Sequence, residues 1–322
     1  MDNNSTAEMF KNLPFALLLM ALPILLLSFF VSLVITKNTI NPVVKITKTA
    51  KSMTTEKLDS LLPISGRGDE IDELSGAFND LFKRVKADFD RERQFSSDVS
   101  HELNTPVTVI SGQANLLLRW GKDNPEQLEQ SLLAIKNEAT SMHAIIDNLL
   151  QISRIESGRI KPEVSEVNIA GLFKRVSEEF QLVHKETRFE IDCAQDTALV
   201  TDGEMLHQII TILVSNSIKF FNASQFASEG CVIKLCAYSK ENKIILEETD
   251  NGPGISAEAL PHIFERFYRA DEAHSRAAGG SGLGLAIART LSDSIGAIIE
   301  AYNVEPHGAR MRVEFEISST TS

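Results

Sequence analysis

An uncharged stretch near the N-terminus limits what this chain can fold into more than any other feature. No charged residue occurs from Leu13 to Ile35, and a helix of that length crosses the hydrocarbon core of a bilayer. Inside a membrane, a single segment satisfies its backbone polar groups only as an α-helix. We therefore expect a short extracytoplasmic N-terminus at residues 1–12 and a transmembrane helix at residues 13–36. The alternative is a cleaved signal peptide, which has a shorter apolar region and a small-residue cleavage site.

The charges beside this stretch predict its orientation. On its C-terminal side four lysines precede the first acidic residue, at Lys37, Lys45, Lys48 and Lys51. Because basic flanks stay inside, we expect a single-pass protein of the cell (inner) membrane whose C-terminal bulk is cytoplasmic. About twelve residues precede the stretch, too few for an extracytoplasmic sensor. We therefore expect sensing by the membrane helix or a partner protein, or a truncated chain.

Composition narrows the class of protein further. The 322 residues are 43% hydrophobic and carry a net charge of −12. The length predicts two or three domains, and the acidic balance argues against a nucleic-acid partner. The three cysteines, Cys193, Cys231 and Cys236, lack a metal-like spacing, so we expect free buried thiols.

Residues 37–92 contain two apolar repeats at three- and four-residue steps, which predict two helices. The repeats are Val43, Ile46, Ala50 and Met53, and then Ile71, Leu74, Phe78, Leu81 and Val85. Pro63, Gly66 and Gly68 interrupt the helical pattern between them. Since so short a unit cannot bury its apolar faces alone, we expect a parallel dimer.

Residues 93–158 predict a helical hairpin. Its second helix keeps a strict alternation of four- and three-residue steps through Leu128, Leu132, Ile135, Ala139, Met142, Ile146 and Leu149. Its first helix places Val99, Leu103, Pro106, Ile110, Ala114 and Leu117 on one side. Gly121–Pro125 forms the turn, and two such hairpins would make a dimeric four-helix bundle.

Residues 159–322 predict an α/β sandwich with a sheet on one side and helices on the other. Strands are expected at 188–193, 198–201, 231–238, 243–249, 297–304 and 309–317. The last is clearest, because Met311, Val313, Phe315 and Ile317 alternate with charged residues. Helices are expected near 169–185, 203–220 and 283–296.

One short run stands out on the first hairpin helix, Ser100-His101-Glu102-Leu103-Asn104-Thr105-Pro106. His101 lies two residues from Val99, about 200° around the helix, so it points away from the apolar side. A neutral imidazole is nucleophilic at cellular pH, and Glu102 can orient it or accept its proton. Pro106 removes a backbone N–H and loosens the helix one turn on. An isolated histidine here would be an ordinary exposed side chain.

Three further motifs follow in order: Asn216-Ser217-Ile218-Lys219, Asp250-Asn251-Gly252-Pro253-Gly254 and Gly280-Ser281-Gly282-Leu283-Gly284. With the histidine run, they resemble the sensor histidine kinases of bacterial two-component systems over about residues 37–318. Residues 37–92 resemble a HAMP linker, although a generic coiled coil is the alternative. Residues 93–158 resemble the dimerisation and phosphoacceptor domain. Residues 159–322 resemble the ATP-binding fold shared with DNA gyrase, Hsp90 and MutL proteins.

The resemblance implies ATP and Mg²⁺ as cofactors and assigns roles to residues. Asn216 would offer an amide oxygen to Mg²⁺, and Lys219 would meet phosphate charge. Asp250 would accept from the adenine amino group, beside the tight turn at Gly252 and Gly254. The loop before the helix at Leu285–Ile295 would bind phosphate through backbone N–H groups, at Gly280, Gly282, Leu283 and Gly284.

Other matches concern the lid and the partner regulator. Phe264–Arg269 resembles the family's F-box, and residues 270–279 its mobile lid. Arg269 and Arg276 could reach phosphates or be solvated surface residues. Thr105 shares the face of His101 and matches the position that orients water when phosphate is removed from the regulator. Asn104 stands where the family often has Arg or Lys.

The expected function is ATP-dependent phosphorylation of His101, followed by transfer to an aspartate of a separate response regulator. The protein could also act as a phosphatase toward that regulator. One departure weakens the match: Ile212 replaces the usual second asparagine and cannot ligate a metal. A pseudokinase scaffold is therefore one alternative. An ATPase machine of the gyrase type is another, but it has no use for the histidine helix.

Overall fold

The computed structural model describes residues 3–52, 61–64, 66, 68–120, 124–224, 226, 230–270 and 281–316. The chain divides into two compact units, Met1–Ser97 and Asp98–Ser322. Seven α-helices and seven strands are described within these ranges and are numbered below in chain order.

The first unit begins with one long apolar helix. Helix α1 spans Asn3–Ile35 and continues through a π-helical segment, Thr36–Ile40, into α2, Asn41–Ser52. Within α1, Leu17–Ile35 has a mean hydropathy of 2.8 and is not buried by the rest of the chain. Among the described residues it is the one helix long and apolar enough to cross a membrane, and it lies within the predicted span.

Polar side chains fix the segment that leads into α3, which spans Glu70–Trp120. The Asn79 side chain accepts from the Leu62 backbone N–H at 2.7 Å and donates to the Leu62 carbonyl at 3.1 Å. Asp72 Oδ2 accepts from the Gly68 N–H at 3.0 Å. We call the buried residues Asp72, Ser75 and Asn79 the polar stripe. The predicted apolar repeat lies one residue before this stripe along the helix. Its members Leu74, Leu81 and Val85 are exposed in the single chain, and Ile71 and Phe78 are partly buried.

The hairpin consists of the second half of α3 and of α4, Pro125–Glu156. The two helices predicted on either side of residue 92 are one uninterrupted helix, Glu70–Trp120. Pro106 lies inside this helix and removes one backbone hydrogen bond without ending it. Most of the predicted turn, Gly121–Asp123, lies outside the described residues. Asn124 caps α4 by accepting from the Glu126 and Gln127 N–H groups at 3.1 and 3.2 Å.

The C-terminal part is the predicted α/β sandwich. Its strands are β1, Val164–Asn168; β2, Arg188–Cys193; β3, Ala198–Asp202; β4, Val232–Lys240; β5, Lys243–Asp250; β6, Ala297–Asn303; and β7, Ala309–Glu316. Its helices are α5, Ile169–Val183; α6, Gly203–Asn222; and α7, Gly284–Ser294. The five-stranded sheet has the order β2-β4-β5-β7-β6, and β1 pairs with β3 separately.

Alternation places the core on one face of the sheet. In β7, Met311, Val313 and Phe315 are buried and their charged neighbours lie on the other face. Leucine and isoleucine side chains of α6 pack against this face, with Leu206, Ile209, Ile210 and Leu213 almost fully buried. Strand β1 was not predicted from the sequence, because its residues are mostly exposed and show no apolar alternation.

Candidate active site

The phosphoacceptor candidate lies on α3, where it faces solvent. His101 is exposed and Glu102 is partly buried. Pro106 has no N–H to donate to the Glu102 carbonyl one turn earlier. The Thr105 hydroxyl donates to the His101 backbone carbonyl at 3.2 Å, so Thr105 lies one turn from His101, as its spacing predicts. The exposed imidazole is accessible to a phosphoryl donor.

Contacts from the α/β sandwich reach the residue next to this histidine. Arg269 Nη1 lies 3.9 Å from Glu102 Oε1, and Arg266 pairs with Glu156 at the end of α4. Gln151 and Gln208 exchange two side-chain hydrogen bonds at 2.7 and 3.1 Å. The histidine-bearing hairpin and the sandwich therefore meet through several polar contacts, one of them at the residue next to His101.

Asp250 ends β5, and its carboxylate is held by three donors. The Ser217 hydroxyl donates to Oδ2 at 2.9 Å, and the N–H groups of Gly252 and Ala309 donate to Oδ1 at 2.7 and 3.1 Å. Oxygens of a fixed carboxylate keep lone pairs for a further donor, such as an exocyclic amino group. Ser217 belongs to a motif that the sequence singled out, but its role was missed there.

The turn after Asp250 is held by residues that sequence reasoning also missed. Asn303 accepts from the Ile255 N–H at 2.7 Å and donates to its carbonyl at 2.6 Å. His307 Nδ1 lies 3.0 Å from the Asn251 carbonyl, and its ring stacks on Phe226 with centroids 4.4 Å apart. Gly254 has φ +75°, and a Cβ there would lie 3.0 Å from Asn303 Oδ1, so a side chain would strain this turn.

The other end of the site gathers groups suited to phosphate. Asp202 caps the start of helix α6, where its Oδ1 accepts from the Met205 N–H at 2.9 Å. The helix carries both Asn216 and Lys219. A Cβ on Gly284, at the start of α7, would lie 4.0 Å from Asn216 Nδ2 and 3.6 Å from Ile212 Cγ2. The start of α7, where backbone N–H groups point outward, therefore lies beside Asn216. Ile212 occupies this same side, one turn before Asn216.

Positive charge accumulates near Lys219. Burial lowers the pKa of Lys219, and the nearby charge of Arg269 lowers it further. Two cations that repel one another favour an anion between or beside them.

The last motif is only partly described. Gly282 has φ +69°, and a Cβ there would lie 2.8 Å from the Phe267 backbone carbon, so this close approach requires glycine. Gly282 also accepts from the Phe267 N–H at 3.0 Å. Leu283 is buried beneath the start of α7. Residues 271–280, which include Arg276, Gly280 and all of the predicted lid except residue 270, lie outside the described residues.

The groups gathered around Asn216 and Lys219 fit a magnesium–nucleotide complex. In the part of the chain that the structure describes, no group of three or more His, Cys, Asp and Glu side chains could hold a metal ion. Mg²⁺ keeps several waters and is bound through one or two protein oxygens plus substrate phosphates. One amide at Asn216, a helix start and Lys219 suit that mode of binding.

Three family models match the chain in order. A HAMP domain matches residues 34–87, a His Kinase A (phospho-acceptor) domain residues 91–158, and a histidine kinase-, DNA gyrase B- and HSP90-like ATPase residues 201–319. Together with the apolar N-terminal helix of the structure, they confirm the multidomain layout predicted from the sequence, with a HAMP linker, phosphoacceptor helices and an α/β ATPase domain.

Named relatives match most of the chain. Sensor histidine kinase YkoH of Bacillus subtilis (strain 168) is 32% identical over 89% of this chain and 62% of its own length. Signal transduction histidine-protein kinase ArlS of Staphylococcus aureus (strain USA300) is 28% identical over 91% of this chain and 61% of its own length. The chain thus spans about three fifths of the length of these relatives.

Solved structures show the same fold. Acinetobacter baumannii histidine kinase AdeS matches with a TM-score of 0.52 and 19% identity, over 68% of this chain and 98% of that one. Histidine kinase ThkA, in complex with response regulator protein TrrA, matches with a TM-score of 0.54 and 24% identity, over 73% of this chain and 66% of that one. The chain therefore carries, in order, the HAMP, phosphoacceptor and ATPase domains expected of a sensor histidine kinase, and its named relatives are sensor histidine kinases.

Proposed function

We propose that this protein is a protein-histidine kinase that binds Mg·ATP in its C-terminal sandwich and phosphorylates His101. The observation that carries the proposal is the placement of Arg269, a residue beside the nucleotide motifs, 3.9 Å from Glu102 next to the exposed His101. The ATPase match supports ATP as the nucleotide. Catalysis of phosphoryl transfer depends mainly on positioning and charge neutralisation, which such a contact supplies.

The residues divide the chemistry among them. A ring nitrogen of His101 forms the new bond to the γ-phosphorus, the bond from that phosphorus to the bridging oxygen breaks, and ADP leaves with its electron pair. Glu102 accepts the proton from the other ring nitrogen or orients it. Asp250 holds the base, while Lys219, Arg269 and the loop of Gly282 and Gly284 neutralise phosphate charge. Mg²⁺, bound through Asn216, would withdraw charge from the phosphate oxygens.

Partners and location are part of the same proposal. The phosphoryl group passes to an aspartate of a response regulator, and Thr105 orients water for its removal from that regulator. The chain works as a homodimer anchored in the inner membrane by one helix, with the catalytic part in the cytoplasm. The proposed domains keep the predicted bounds 37–92, 93–158 and 159–322.

Exposed apolar side chains support the dimer. In the single chain Leu132 is 52% exposed and Ile146 is 42% exposed. Both belong to the alternating repeat on α4, so they form a surface that a second copy would cover. We call the exposed members of this repeat the hairpin seam; they are Leu128, Leu132, Ala139 and Ile146.

Phosphoryl transfer from γ-labelled ATP tests the function. The full chain in detergent micelles is compared with His101→Gln and with His143→Gln, a matched control for a second exposed helical histidine. We expect acid-labile, base-stable label in the wild type and the control, and none in His101→Gln. A chain that binds ATP but takes up no label would instead be a scaffold. Ile212→Asn would then be the first variant to test for restored activity.

A further inference from the structure

A buried acid lies beside the proposed base-binding carboxylate. On β5, Ile244, Leu246, Glu248 and Asp250 share the face that packs on the helices. Glu248 is 1% exposed. Its neighbours across the sheet are Leu235 and Met311, both buried. An acid therefore occupies a core position among apolar side chains, two residues before Asp250.

Neither carboxyl oxygen of Glu248 has a hydrogen-bond partner among the described residues. Burial raises the pKa of Glu248 to about 8, the negative charge of Asp250 adds to the rise, and the nearby Ser217 hydroxyl opposes it. Among the described residues, the other titratable group that interacts with both Glu248 and Asp250 is Cys231, whose pKa burial raises to about 11. Glu248 thus faces one anion and one neutral thiol, and apolar residues on the adjoining strands.

Ser217 connects the two acids. Its hydroxyl carries one proton, which it donates to Asp250 Oδ2 at 2.9 Å. An ionised Glu248 would compete for that proton and repel the Asp250 carboxylate at close range in a buried site. A neutral Glu248 leaves the proton to Asp250 and adds no second negative charge.

We propose that Glu248 is a positioning residue that holds a proton at neutral pH and thereby keeps Asp250 in place for the nucleotide base. Nucleotide affinity then depends on that proton and weakens when alkaline pH removes it. The inference rests on the proposed function in one respect, since it takes Asp250 as the contact to adenine.

Calorimetric titration of the full chain in detergent micelles with Mg·ATP at pH 7 and pH 9 tests this inference. The protonated fraction of a group with a pKa of about 8 falls from about 0.9 to about 0.1 between these values, so the wild-type Kd should rise about tenfold. Glu248→Gln, neutral at every pH, should change less than about twofold. Glu247→Gln removes a carboxyl from the opposite face of the same strand and should keep the tenfold change. Glu248→Leu, which matches the apolar neighbours, should be as flat as Glu248→Gln and serves if the glutamine variant does not fold.

Infrared spectroscopy of the nucleotide-free chain gives a readout independent of ATP. We expect a protonated-carboxyl band at pH 7 that disappears by pH 9 and is missing in the Glu248 variants. A band unaffected by these variants, or equally tight ATP binding at both pH values in the wild type, overturns the inference and leaves the proposed function standing. Absence of ATP binding in every variant overturns the proposed function and the inference with it.

Discussion

At the scale of single residues, Asp250 is held before any ligand contacts it. Its two oxygens accept from Ser217, Gly252 and Ala309. The side chain therefore also ties β5 to α6 and to the start of β7. If Asp250 contacts the base as proposed, nucleotide affinity and local stability depend on the same carboxylate.

We expect Asp250→Asn to lose both. An amide nitrogen would face either the Ser217 hydroxyl or two backbone N–H groups, and a lost buried hydrogen bond costs about 1–3 kcal/mol. ATP affinity should fall at least about tenfold in calorimetric titration, and the melting temperature should drop. Asp192→Asn, an exposed acid on β2, is the control and should change neither. Unchanged affinity in Asp250→Asn would contradict its proposed contact with the base.

The raised pKa of Glu248 also predicts how stability depends on pH. Its pKa in the folded chain is about 8, above the ordinary value of 4.5, so the folded state binds the proton more tightly than the unfolded state. The stability contribution is complete below about pH 4.5 and is lost as pH rises to about 8, at up to ~1.4 kcal/mol per pH unit. Between pH 6 and pH 8, the melting temperature of Glu248→Gln should therefore rise relative to that of the wild type. A difference in melting temperature between the two proteins that stays constant across this pH range would contradict the raised pKa of Glu248.

At the scale of elements, the polar stripe explains how the segment before α3 is held. Asn79 is 5% exposed and satisfies both backbone groups of Leu62. Buried backbone groups without partners are costly, so this one side chain specifies where the connector lies on α3.

Asn79→Leu should release the connector. It keeps the size of the side chain but leaves the Leu62 N–H and carbonyl unpaired, at a cost of about 1–3 kcal/mol each. Hydrogen exchange at Leu62 should quicken by at least about tenfold. Asp80→Asn, the next residue and exposed, should exchange like the wild type. Slow exchange retained in Asn79→Leu would show that other contacts hold the connector.

The sequence predicted those elements in which one face is apolar and the other charged. Strand β7 is the clearest case, because its alternation is complete from Met311 to Phe315. It could not predict β1, whose residues are mostly exposed, nor that α3 runs unbroken past residue 92. His307 and Asn303 were missed because they are far from Asp250 in the sequence and only the fold brings them to its turn. Glu248 was missed because its burial depends on residues of the neighbouring strands.

At the scale of the whole molecule, the hairpin seam predicts assembly. Leu132→Lys with Ile146→Lys places charge where a second copy would pack, and each lost apolar side chain removes about 1.5–3 kcal/mol. The dissociation constant of the dimer should rise at least about 100-fold, measured by sedimentation of the full chain in detergent. Asn137→Lys, an exposed residue on the side of the same helix opposite the seam, should sediment like the wild type. A double variant that stays dimeric would contradict this interface.

Location of the phosphoryl group tests the central claim most directly. The full chain is incubated with Mg·ATP, kept at neutral to alkaline pH and fragmented by electron transfer, which preserves a phosphorus–nitrogen bond during mass spectrometry. Phosphorylation of His101 within the peptide that carries Glu102 and Thr105 is the predicted result. A phosphoryl group on another residue, or an unmodified His101 in a chain that binds ATP, would contradict it.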